Sequence, residues 1–327
     1  MNNLTDYTNE QHQRFPILAQ LGILLFILVG VFGALLLPSN DTEEIASEPM
    51  ETAIRPLPEA RPLSTATIEN VTLRAKAAYV LDVKGQRALF EKNANEVLPL
   101  ASITKLMTTL VAYELITDDT VTSMPLSAIK QEGSSGLSVG ERLSAEKLRK
   151  LALISSSNDA AFALGASVGS LLGDEDPNAQ FVAAMNIRAD ELGLDTLEYW
   201  NPTGLDLSNT KPGAVGSAKD VSLLMEYIIT HYPEIITPTQ EAAARIYNTA
   251  GAYHEISNTN EVALEIPNMI GSKTGFTDLA GGNLTIAFDA GFDRPIIITV
   301  LRSTRDERFS DVLALVKATQ DVLGNIE

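Results

Sequence analysis

Strand-like and helical segments are segregated along this 327-residue chain, and that order constrains the fold more than any other feature. Two short apolar runs, 77–83 and 87–91, are split by Lys84-Gly85, a hairpin signal. A helical stretch follows. Residues 101–116 are almost continuously apolar, 144–172 hold two helical patterns, and 178–192 carry Phe181, Val182, Met185, Ile187 and Ala189 at helical spacing. Residues 218–230 and 233–236 continue it. Then the period changes. Runs 269–273, 283–288 and 295–301 read as strands bounded by Gly, Asp and Pro, and 310–323 closes the chain as an amphipathic helix. Strands, helices, strands, helix predicts an α+β fold, its antiparallel sheet completed by both ends of one domain.

That domain is expected over 69–327. Upstream, residues 17–37 carry no charge, and Gln20 is their one polar side chain. The run is long enough to cross a hydrocarbon core. It exceeds the apolar core of about 7–15 residues usual in a cleaved signal, so an uncleaved transmembrane anchor is the preferred reading. Arg14 precedes it, while Asp41, Glu43, Glu44 and Glu48 follow, which places 1–16 in the cytoplasm and the domain outside. Residues 38–68, with Pro38, Pro49, Pro56, Pro58 and Pro62, read as an acidic, disordered linker. The expected location is therefore the cell membrane, single-pass, with the domain extracytoplasmic.

The chain has no Cys and only His12, His231 and His254. Thiolate nucleophiles, disulfides and Cys-ligated metals are excluded, and no metal or cofactor is expected. A catalytic base would be Lys or a carboxylate sooner than imidazole. With 24 Lys and Arg against 42 Asp and Glu, the net charge of −18 argues against a nucleic-acid partner. A small anionic ligand in a locally basic cleft stays open.

Three short motifs carry chemistry. Ser102-Ile103-Thr104-Lys105 places a hydroxyl and an amine on one helix face, and Lys can serve as base for Ser if burial lowers its pKa. The spacing alone is unspecific. Its setting is not: Ile103, Leu106, Met107, Leu110 and Val111 leave no polar face for Lys105, and a Lys among apolar side chains needs a partner. Ser156-Ser157-Asn158 follows an apolar helix, in a turn where Asn or Asp could cap the next helix. Lys273-Thr274-Gly275 lies on an expected strand, where Gly275 admits a ligand backbone and the two preceding side chains could bind a carboxylate.

These motifs, in this order, resemble the S-x-x-K, S-x-N and K-T-G of the D-alanyl-D-alanine carboxypeptidases, the low-molecular-mass penicillin-binding serine peptidases of family S11. The resemblance covers roughly residues 70–325. It includes Ala78–Asp82 with Gly85, Gly133-Ser134-Ser135 with Gly140-Glu141, Met185-Asn186, Asn201-Pro202, Gly204-Leu205, and Thr277 with Ala280-Gly281. It implies a β-lactamase/transpeptidase-like fold with an inserted all-helical subdomain. It implies acyl transfer on peptidoglycan stem peptides ending in D-Ala-D-Ala, and acylation by β-lactams. Carried onto matching positions, Ser102 is the nucleophile, Lys105 its base, kept partly neutral by neighbouring Lys273, and Ser156 the proton relay. Asn158 positions the substrate amide or Lys105, Lys273 and Thr274 bind the terminal carboxylate, and the peptide lies along Gly275. The backbone N–H groups of Ser102 and Phe276 form the oxyanion hole. Arg308 is the best match for the family's arginine after the last strand, with Arg302 and Arg305 competing.

Three rivals remain. Gly136-Leu137-Ser138-Val139-Gly140 matches a nucleophile elbow but lacks the strand before it. A class A-like β-lactamase would use Glu191 for deacylation. A penicillin-sensing receptor would need an output module larger than residues 1–16.

Overall fold

The computed structural model describes residues 67–133, 135–173 and 176–324. The expected anchor at 17–37, and all but the end of the linker at 38–68, lie outside the described residues. Among the described residues no helix is long and apolar enough to cross a membrane.

The principal strands in chain order are β1 (Ala77–Asp82), β2 (Arg87–Lys92), β3 (Ala243–Tyr247), β4 (Tyr253–Ser257), β5 (Met269–Thr277), β6 (Gly281–Asp289) and β7 (Pro295–Ser303). The principal helices are α1 (Lys105–Leu115), α2 (Ala145–Ile154), α3 (Asn158–Leu172), α4 (Pro177–Glu191), α5 (Ala218–His231) and α6 (Glu307–Gly324). The two ends of the domain build one sheet in the order β5-β6-β7-β1-β2. Every pairing in it is antiparallel, with β1 closing on β7 through Ala78 opposite Val300 and Tyr79 opposite Thr299. This is the α+β arrangement expected from the order of periods.

Both faces of the sheet are covered. Ala77, Tyr79, Leu81, Ile297 and Leu301 face the helical side, where α5 packs and Ser222 Oγ donates to Thr299 Oγ1 at 2.7 Å. Ala78, Val80, Ile296, Ile298 and Val300 face α6 through Phe309, Val312 and Leu315. Burial on both faces explains why these strands read as continuous apolar runs and not as alternations. All three C-terminal strands extend beyond the ranges expected for them, and β5 runs to Thr277, not 273. Ladder pairing of Gly275 with Asn283 and Thr277 with Gly281 carries it there, where Thr274, Gly275 and Thr277 interrupt the apolar run.

The inserted helices bury Leu106, Met107 and Leu110 of α1 against Leu148, Leu151, Leu164, Phe181 and Met185. Most of their starts are capped by side chains. Ser144 accepts from Lys147 N–H, Ser217 from Asp220 N–H, and Asp176, followed by Pro177, from Asn178 N–H. The cap of α3 differs from expectation: Ser157 Oγ accepts from Ala160 N–H at 3.0 Å, and Asn158 is already helical. The amide of Asn158 is thereby left for other work. The β3–β4 ribbon had no sequence signature, because only Ile246 and Ile256 of its ten residues are buried.

Candidate active site

Ser102 stands in a 3-10 turn, Ala101–Thr104, that runs directly into α1. Ala101 has φ +49° and Ser156 φ +60°, a left-handed backbone that L residues adopt at a cost. The strain therefore sits beside one motif serine and on the other. Lys105 is fully buried, and its Nζ donates to Ser102 Oγ at 2.8 Å, Asn158 Oδ1 at 2.7 Å and the Thr203 carbonyl at 2.7 Å. Asn158 Nδ2 donates to the Glu132 carbonyl at 2.7 Å, which assigns its oxygen to Lys105. A neutral Lys105 has two hydrogens. Asn158 Oδ1 and Thr203 O can only accept, so both hydrogens go to them and the lone pair faces the Ser102 hydroxyl. Burial brings the Lys105 pKa down to about 7, so that neutral form is populated at ordinary pH.

Lys273, 1% exposed, donates to Ser156 Oγ and to the Thr274 carbonyl, each at 2.8 Å. Its pKa lies well below the usual lysine range, first from burial, then from the charges of Lys105 and Arg308. Burial is thus the first cause that pushes both lysines below the usual lysine range, and each positive charge disfavours the other. Thr274 Oγ1 shares a 2.6 Å hydrogen bond with Thr259 Oγ1.

Gly275 brings β5 against the nucleophile's turn. A Cβ there would lie 2.7 Å from the Leu100 carbonyl oxygen and 3.2 Å from Ile103 N. β5 is an edge strand, so alternate backbone groups between Gly275 and Thr277 face away from β6 and suit an added peptide strand. Phe276, whose N–H is the second expected oxyanion donor, follows directly on this edge. Of the three candidate arginines, Arg302 and Arg305 are exposed, Arg305 lying 5.1 Å over the Phe276 ring. Arg308 is 6% exposed, and its Nη1 donates to the Gly275 carbonyl at 2.8 Å. Burial, then Arg305, lowers its pKa to about 10. Beside this edge opens a groove of about 430 Å³ with Glu132, Leu205, Asp206, Phe276 and Thr277 in its wall.

The structure therefore brings together Ser102, Lys105, Ser156, Asn158, Lys273, Thr274, Gly275 and Arg308. It adds groups that sequence reasoning missed. The Thr203 carbonyl is aimed at Lys105 by Asn201, whose Oδ1 accepts from Thr203 N–H at 3.0 Å and Gly204 N–H at 2.7 Å. Gly204, at φ +79°, lies so close to the nucleophile's turn that a Cβ would fall 1.9 Å from the Ala101 carbonyl oxygen. Asn283, fully buried, donates to the carbonyls of Pro99 at 2.9 Å and Leu100 at 3.0 Å, tying β6 to the segment before Ser102. Asn201 belonged to the resemblance, but a carbonyl's role has no residue-type signature.

The rivals are placed elsewhere. Ser138 lies in an irregular loop followed by the short strand Arg142–Ser144, not by a helix, and its N–H donates to Glu141. His254 Nε2 contacts Glu141 at 2.6 Å, and His231 Nδ1 the Tyr227 carbonyl at 3.0 Å. Glu191 is exposed at the end of α4 and paired with Arg188 at 2.9 Å.

Comparison with known proteins follows the same lines. The model of the D-alanyl-D-alanine carboxypeptidase family matches residues 64–304. The chain is 30% identical over 248 residues to D-alanyl-D-alanine carboxypeptidase DacF of Bacillus subtilis, covering 74% of this chain and 61% of that one. It is 33% identical over 217 residues to a D-alanyl-D-alanine endopeptidase of Pseudomonas aeruginosa, covering 64% of this chain and 65% of that one. The chain thus spans somewhat under two thirds of these relatives' length. Among solved structures, penicillin-binding protein D2 of Listeria monocytogenes in its ampicillin-bound form superposes with a TM-score of 0.63 at 29% identity, over 76% of this chain and 98% of that one. On the family match and on the site that its residues build, the chain belongs to the D-alanyl-D-alanine carboxypeptidase family of serine peptidases.

Proposed function

We propose that the chain hydrolyses the terminal D-Ala-D-Ala bond of peptidoglycan stem peptides through a serine acyl-enzyme, and that β-lactams acylate the same serine. The observation that carries this reading is the Lys105 amine, fully buried and 2.8 Å from Ser102 Oγ, with its two other contacts restricted to acceptors. Lys105 takes the Ser102 proton as Oγ attacks the carbonyl of the penultimate D-alanine. The tetrahedral oxygen meets the N–H groups of Ser102 and Phe276, a type of donor worth about 3–4 kcal/mol in other hydrolases. The C–N bond breaks, the departing amine takes its proton from Ser156, which Lys273 orients at 2.8 Å, and the proton that Lys105 took from Ser102 replaces it on Ser156. Water then releases the acyl group. A substrate carboxylate beside Lys273 and Thr274 favours the charged form of Lys273, and that charge in turn disfavours protonation of Lys105. The implied coupling from Lys273 to Lys105 is thus strengthened in the substrate complex.

Cleavage of D,D cross-links is a second reading, favoured by likeness to the P. aeruginosa endopeptidase. It requires the same attack with a bulkier leaving group. We further propose that residues 17–37 anchor the chain and hold the domain outside the membrane, from their uncharged length and the flanking charges.

Mass spectrometry after incubation with penicillin should give a covalent adduct on Ser102, absent in Ser102→Ala and retained in Ser138→Ala. A pentapeptide ending in D-Ala-D-Ala should lose one alanine. Failure of the wild type to form the adduct under conditions that label penicillin-binding protein D2 would refute the reading.

A further inference from the structure

The β3–β4 ribbon has an inner and an outer face of opposite character. On the inner face Ile246 and Ile256 are buried, and His254 holds Glu141. On the outer face Tyr247 stands opposite Tyr253 and Arg245 opposite Glu255. Tyr247 and Tyr253 are 51% and 50% exposed, with ring centroids 5.6 Å apart. The Arg245 guanidinium lies 5.1 Å over the Tyr253 ring and pairs with Glu255 at 2.8 Å. Three planar groups thus form a row in solvent. A cross-strand aromatic pair steadies a ribbon, but that role leaves half of each ring in water.

The ribbon is rooted in both walls of the active site. Just beyond β4, Thr259 N–H donates to the carbonyl of Ile154, two residues before Ser156, at 3.0 Å, and Thr259 Oγ1 meets Thr274 Oγ1 at 2.6 Å. At its tip, Asn248 Nδ2 donates to Glu141 at 2.8 Å and Thr249 N–H to the Arg142 carbonyl at 3.0 Å. Glu141 ends the loop that includes Glu132, whose carbonyl holds Asn158.

We infer that this outer face is a docking platform for the glycan strand that bears the stem peptides, an inference that rests on the proposed substrate. Tyrosine faces stack on the C–H faces of pyranose rings, and their hydroxyls and the Arg245–Glu255 pair suit hydroxyl and acetamide groups. Charge selects among occupants. Residues 67–327 carry 21 Lys and Arg (24 less Arg14, Arg55 and Arg61) against 34 Asp and Glu (42 less eight upstream). A domain with a net charge of −13 is repelled by anionic lipid surfaces and not by an N-acetylated hexosamine chain. The platform retains the polymer while the reactive serine works on its peptides.

The test compares the full chain with the double variant Tyr247→Thr/Tyr253→Thr, which keeps strand-forming residues, and with Tyr247→Phe/Tyr253→Phe, which keeps the rings. Binding to peptide-stripped glycan strands should fall about tenfold in the Thr pair and by less than threefold in the Phe pair. Hydrolysis of polymeric peptidoglycan by the Thr pair should fall similarly. Turnover of a soluble pentapeptide should stay within twofold, which also shows that the site is intact. Unchanged glycan binding by the Thr pair overturns the inference. So does ring-dependent adsorption to phosphatidylglycerol vesicles with no glycan binding. If no variant, wild type included, cleaves the pentapeptide while glycan binding still depends on the rings, the platform stands and the catalytic reading fails.

Discussion

The pH at which Lys105 loses its proton should govern acylation. Its pKa of about 7 means that roughly one chain in eleven has neutral Lys105 at pH 6 and ten in eleven at pH 8. The second-order rate of acylation by penicillin should therefore rise about tenfold between those values and level off above, as expected for a base titrating in the free enzyme. The same group carries a stability signature. The unfolded chain keeps this proton up to about 10.5, whereas the folded chain releases it near 7. Between these values the unfolded state binds more protons, so stability rises with pH. The penalty for burying the charge, ~5 kcal/mol in total, is full below pH 7 and gone above 10.5. Urea unfolding of wild type and Lys105→Met at pH 7 and 9 isolates it: the wild type should gain about 2 kcal/mol on the variant over that interval. Lysine Nζ NMR on Lys273→Met separates the causes. If burial sets the Lys105 pKa, its midpoint stays near 7 there. An acylation rate that does not change from pH 6 to 8, or an upward move of the midpoint by a full unit in Lys273→Met, would refute the reasoning.

Three further outcomes follow from named contacts. Asn283→Ala strips partners from the buried carbonyls of Pro99 and Leu100, and urea unfolding should show a loss of about 3 kcal/mol, with slower penicillin acylation. Gly275→Ala sets a methyl 2.7 Å from the Leu100 carbonyl oxygen, so β5 must shift from the nucleophile's turn; stopped-flow acylation should slow at least tenfold for about 1–3 kcal/mol of stability. Glu191→Gln should leave the half-life of the penicillin adduct within twofold, because Glu191 is exposed and bound to Arg188; a much longer-lived adduct would restore it to a deacylating role.

Much of the fold was legible because burial writes periodicity. The apolar runs of β1, β5, β6 and β7 and the helical spacing of α1 to α6 survive in the sequence, since each element must hide a face. The β3–β4 ribbon escaped for the converse reason: it buries two side chains and shows the rest to solvent. The end of β5 escaped because ladder bonds, which have no residue type, extend it.

The site divides in the same way. Ser102, Lys105, Ser156, Asn158, Lys273, Thr274 and Gly275 were readable because their chemistry belongs to side chains, or to the lack of one, at short spacings. Local order also bound Ser102 to Lys105, one helical turn apart. Only the tertiary structure decided what surrounds that amine. The Thr203 carbonyl lies 98 positions away along the chain and the Asn158 amide 53, and together they turn the lone pair toward the serine. It alone separated Arg308 from Arg302 and Arg305, by burial against Gly275. It also lowered the pKa of both lysines, first by burying them. The physical reason is common to all three: a pKa and a lone pair's direction depend on desolvation and on acceptors brought in from distant segments, and a linear sequence records neither.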